Sequence, residues 1–87
     1  MARVHVPQSL TAILPGLPSH VWVEAASVEA LIDEMERHWP GLRFRVCDAG
    51  PVIRQHIKVF VDGERATLAT SVGPDSDVHI MTAVSGG

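Results

Sequence analysis

The chain has 87 residues, 46% of them hydrophobic and 20% charged, with a formal net charge of −3 and a single cysteine. That is enough for one small domain burying somewhat over about 60% of its unfolded surface, and it argues against disorder over most of the length. The slight acidity excludes the clustered basic surface that nucleic acid requires and favours partners with basic docking patches, while a lone Cys47 excludes an internal disulfide and any multi-cysteine metal site.

Arg3 to Pro7 alternates, with Val4 and Val6 on one face and Arg3 and His5 on the other, as a half-buried strand does. Pro15-Gly16-Leu17-Pro18 makes a turn-rich connection, so the first hairpin is loose. A second strand, His20 to Glu24, turns Val21 and Val23 inward and sends Trp22 to the opposite side. Ser27 is a helix N-cap, and Glu29 sits where the positive end of the helix dipole favours an acid. Val28, Leu31, Ile32, Met35 and Trp39 then follow at the spacing of one helical stripe, until Pro40-Gly41 stops the helix.

In Leu42 to Pro51, apolar Leu42, Phe44 and Val46 alternate with Arg43 and Arg45, and Asp48-Ala49-Gly50-Pro51 breaks the run, which reads as a short strand or an irregular turn. His56 to Val61 is a strand with Ile57, Val59 and Val61 inward. Asp62-Gly63 is a tight turn leading to a short return strand from Glu64. Leu68 to Val72 reads as a packed turn and Gly73 to Asp77 as a loop. A last strand, Val78 to Ala83, turns Val78, Ile80 and Thr82 inward, and the sequence closes with Val84-Ser85-Gly86-Gly87. The order is β-β-α-β-β-β.

That order resembles the ubiquitin-like β-grasp, an α+β fold in which a mixed sheet wraps one main helix and the first and last strands lie parallel at its centre. The helix stripe, the hairpin closing on Asp62-Gly63-Glu64, the acidic loop Asp75-Ser76-Asp77-Val78 and the Gly-Gly end are together similar to the ThiS/MoaD family of sulfur carrier proteins. The similarity spans essentially the whole chain, and the length and the acidic loop, strand and Gly-Gly end look most similar to the carrier that feeds sulfide to a cysteine synthase. It implies a β-grasp domain at 1–83 and a flexible tail at 84–87. It also implies that Gly87 is the reactive group, its carboxylate adenylated by an E1-like partner using ATP and magnesium, then converted by sulfur to a thiocarboxylate. The sulfur goes on to a biosynthetic enzyme making molybdopterin, the thiamine thiazole, cysteine or a specialised thio-metabolite. By this resemblance the chain holds no cofactor and no catalytic residue of its own.

Each tail residue has a physical task in that scheme. Gly87 leaves the reacting carbonyl open, Gly86 lets the arm turn inside a tunnel, and Val84 and Ser85 span the distance from the sheet to the partner's site. Strand alternation places Phe60 and Met81 on the outer face beside the tail, as an apolar patch suited to docking. The same activation chemistry serves a protein modifier joined through Gly87 to target lysines, and a non-covalent interaction module is the third reading.

Five histidines lack metal-ligand spacing, although His5, His56 and His79 reach one face of the sheet, and no metal site is expected. Cys47 reads as a small, partly buried thiol rather than a nucleophile. Asp75 and Asp77 read as a loop, with Asp77 a turn cap. No apolar run reaches membrane-spanning length, and the first residues lack a secretory signal, so a cytoplasmic protein with no membrane partner is expected.

Overall fold

The computed structural model describes residues 1–83; the flexible tail expected at 84–87 lies outside the described residues. The elements in chain order are β1 (Ala2–His5), α1 (Gln8–Thr11), β2 (His20–Val23), α2 (Val28–His38), α3 (Leu42–Val46), β3 (Cys47–Asp48), β4 (Val52–Ile53), β5 (Ile57–Val61), β6 (Glu64–Arg65) and β7 (Asp77–Thr82). Five strands form one sheet in the order β2-β1-β7-β5-β6, and β3 and β4 pair as a separate hairpin. β1 and β7 run parallel, Val4 opposite Val78 and His5 opposite His79. The other neighbours are antiparallel, so the fold is the expected mixed-sheet β-grasp.

α2 starts where its first-turn amides find acceptors. Ser27 Oγ accepts from the Ala30 N–H at 3.1 Å, and the Val28 and Glu29 amides donate to the carbonyls of Thr70 and Leu68. The packed turn at 68–72 therefore caps the helix, with Leu68 and Val72 buried beneath it. The helix buries Val28, Leu31, Ile32 and Met35 in one cluster with Val4, Val21, Val59 and Ile80 from the sheet. Asp62 and Gly63 both take positive φ, 51° and 86°, as a two-residue hairpin turn demands. The Asp62 carboxylate accepts from the Asp77 N–H at 2.9 Å and from Ser76 Oγ at 3.0 Å, which ties this turn to the start of β7.

Three expectations are corrected. The link between the first two strands contains, ahead of the expected turn at 15–18, helix α1, whose Leu10 is buried; no element was expected at 8–11. Thr82 is half-buried rather than core, because it lies at the end of β7, where its hydroxyl accepts from Ser9 Oγ at 3.1 Å. Residues 42–46, whose alternation suggested a strand or irregular turn, form helix α3. Leu42 and Val46, four residues apart, are buried on one side while Phe44 is 72% exposed.

Glu36 supplies the reason for α3. Its carboxylate accepts from the Gly41 N–H at 3.0 Å and the Arg43 N–H at 2.8 Å, so a side chain of α2 satisfies the free amides where α3 begins. Gly41 makes the reversal with φ +102°. These two donors, Arg43 first and Gly41 second, hold the Glu36 carboxyl below its ordinary range against the opposing effect of burial. A carboxyl lowered in the folded state contributes stability above its unfolded pKa, and that contribution is lost as pH falls through the folded value. Glu36→Ala should therefore cost about 1–2 kcal/mol at neutral pH. Urea unfolding of both proteins should show the difference shrinking as pH falls below the ordinary carboxylate range.

Candidate functional site

α2 covers one face of the sheet, and alternation sends every second strand residue to the other, open face. Across the strands, Trp22, Arg3 and Asp77 stand in one row. His20, His5, His79, Phe60 and Arg65 form the next, followed by Met81 opposite Lys58. The expected docking pair is thus brought together: Phe60 lies opposite His79, one diagonal step from Met81. Met81 is 51% exposed, whereas Phe60 is half-buried. Pairing with β5 continues to the last described residue, since the Ala83 N–H donates to the His56 carbonyl at 2.7 Å. The root of the tail therefore stands beside Met81. Val84, Ser85, Gly86 and Gly87 themselves lie outside the described residues.

Charge on this face departs from the net acidity of the chain. Arg3, Lys58 and Arg65 stand on it against Asp77, while Glu29, Asp33, Glu34 and Glu36 sit on α2 at the other side of the molecule. Partners with basic docking patches were expected from net charge; the open face instead complements a partner carrying acids. Asp77 accepts from Arg3 Nε at 3.1 Å and lies 3.1 Å from His5 Nε2. The Arg3 hydrogen bond first, and His5 second, hold its carboxyl below the usual carboxylate range. The residue read as a turn cap is therefore an ionised member of this face.

Of the histidines expected to share a face, His5 and His79 stack with ring centroids 3.9 Å apart and an interplanar angle of 2°. His56 precedes β5, at the opposite end from the Phe60 row, and does not join them. His20 does, packing edge-on against His5 at 4.8 Å. The signal for His20 was its outward position beside Val21. For Asp77 it was the i, i+2 spacing to His79, but both needed the strand register. Cys47 is buried, and burial pushes its thiol up from the ordinary range against the opposing charge of Arg43. It stays protonated and poorly nucleophilic.

No protein-family model and no curated protein matches the sequence. Solved structures match it end to end. A chain of the Amycolatopsis orientalis BexX/CysO complex superposes with a TM-score of 0.88 at 24% identity, covering 100% of both chains. Mycobacterium tuberculosis CysO, described as an antigen, gives 0.86 at 23% identity over 97% of this chain and 100% of that one. SAMP1 from Haloferax volcanii gives 0.82 at 25% identity over 99% and 98%. The resemblance to ThiS/MoaD-like ubiquitin-like carriers thus extends to the fold of the whole chain.

Proposed function

We propose that this chain is a sulfur carrier whose Gly87 carboxyl is the reactive group. The reading is carried by the Gly86-Gly87 pair, which follows β7 by four residues in a chain whose fold matches CysO across its length. A carboxylate is a poor electrophile, so an E1-like partner uses ATP and magnesium to form the acyl adenylate, releasing pyrophosphate. Sulfide then displaces AMP and leaves the thiocarboxylate, whose sulfur passes to a biosynthetic enzyme. The open face docks the partner through Phe60 and Met81, and Val84, Ser85 and Gly86 reach into its site. In this scheme the chain is a co-substrate of cytoplasmic enzymes rather than a catalyst, and ATP and magnesium belong to the partner's reaction.

The SAMP1 match, to a small archaeal modifier protein, favours a second reading in which Gly87 is joined to lysines of target proteins. The two share activation and part at the acceptor. Intact mass, measured after co-expression with an E1-like enzyme and a sulfur source, should rise by the replacement of one oxygen with sulfur. The gain should map to Gly87 and vanish when Gly86 and Gly87 are deleted. Adducts linking Gly87 to lysine would select the modifier, and an unchanged mass with a competent activating enzyme would defeat both. Gly86→Arg should block activation sterically while leaving the fold intact.

A further inference from the structure

We propose that His5, His79 and Asp77 bind a divalent transition cation of the zinc class on the open face of the sheet. One nitrogen from each ring and one carboxylate oxygen all lie within 4.8 Å of one another. Two imidazoles and a carboxylate are a donor set that suits zinc, cobalt, nickel or copper rather than magnesium or calcium.

The backbone prepares the site. Parallel pairing sets His5 opposite His79, and Asp77 stands two residues before His79 on the same face. Tetrahedral ligation with bonds of about 2.0–2.1 Å separates ligand atoms by roughly 3.3 Å. The widest pair therefore closes by about 1.5 Å, and the two rings, stacked 3.9 Å apart at 2°, turn out of parallel so that their in-plane nitrogen lone pairs converge on the ion, a movement of side-chain torsions that leaves both strands in the ladder. His20, edge-on to His5, supports that ring from the far side, and the fourth position is left to water.

Two features of the surroundings set the affinity. Asp77 Oδ1 lies 3.1 Å from His5 Nε2, so the cation takes the place of the hydrogen bond between them. Arg3 competes, since its Nε donates to the same oxygen at 3.1 Å and its charge repels a cation. Removing Arg3 should therefore tighten binding, a gain that no misfolded variant mimics.

The test uses the full chain stripped with EDTA, titrated with Zn2+ by calorimetry and with Co2+ by visible absorption. One equivalent should bind with micromolar or tighter affinity. His79→Asn should weaken binding at least about tenfold, and Arg3→Gln should strengthen it. His38→Asn, which removes the histidine of the His38–Glu34 pair on α2, should change nothing. No saturable binding of either ion, an affinity indifferent to His79→Asn, or one lost with His38→Asn would overturn the proposal.

Discussion

Leu31→Ala should lower the unfolding free energy by about 2–5 kcal/mol, read as a shift of the urea midpoint at unchanged slope. Leu31 is 1% exposed at the centre of the α2 stripe, between Val28 and Met35, which are fully buried. Its removal takes apolar surface out of the cluster and leaves a cavity that the sheet cannot close without breaking its ladders. A domain of this length has roughly 4–13 kcal/mol to lose, so the variant is left with a large part of its stability gone. Met81→Ala removes a comparable apolar side chain from the open face. It should move stability by only about 0.5 kcal/mol, because half of that side chain already meets solvent. Equal losses in the two variants would mean that the burial pattern is wrong.

Leu31 was legible in the sequence because periodicity and capping agreed there. Val28, Leu31, Ile32 and Met35 mark one side, Ser27 the start and Pro40-Gly41 the stop, and each is a local signal. Residues 42–46 were not legible for the opposite reason. Three apolar residues at every second position fit a strand as well as they fit a single helical turn, and what decides is Glu36, reaching from α2 to cap α3. Sequence spacing does not show where that side chain points. Similarly, alternation placed Phe60 and Met81 on the outer face. The row His20, His5, His79 depended on register across three strands, two of them far apart in sequence. Net charge misled about the open face because it sums over a surface on which Glu29, Asp33, Glu34 and Glu36 sit on α2, away from Arg3, Lys58 and Arg65.

Phe60→Ala with Met81→Ala should weaken binding of the proposed activating partner by at least about 2 kcal/mol, roughly thirtyfold in Kd by calorimetry. Met81 lies beside the root of the tail with Phe60 one diagonal step further along the sheet, and large apolar groups flanked by Lys58 and Arg65 fit the anatomy of an interface centre better than isolated surface residues do. Met81 is free to be covered at little cost, being 51% exposed. Phe60 is half-buried already, so it contributes fixed shape more than new area. The Arg3, Lys58 and Arg65 charges should speed association with an acidic partner, and raising salt should slow the on-rate of native and double-variant chains alike. Thiocarboxylate formation separates docking from chemistry. Loss of a patch that only docks raises KM and leaves kcat intact, because the reacting group proposed at Gly87 is untouched. Unchanged affinity in the double variant would remove Phe60 and Met81 from the interface. A fall in kcat at saturating partner would instead mean that the patch sets how the tail enters the site.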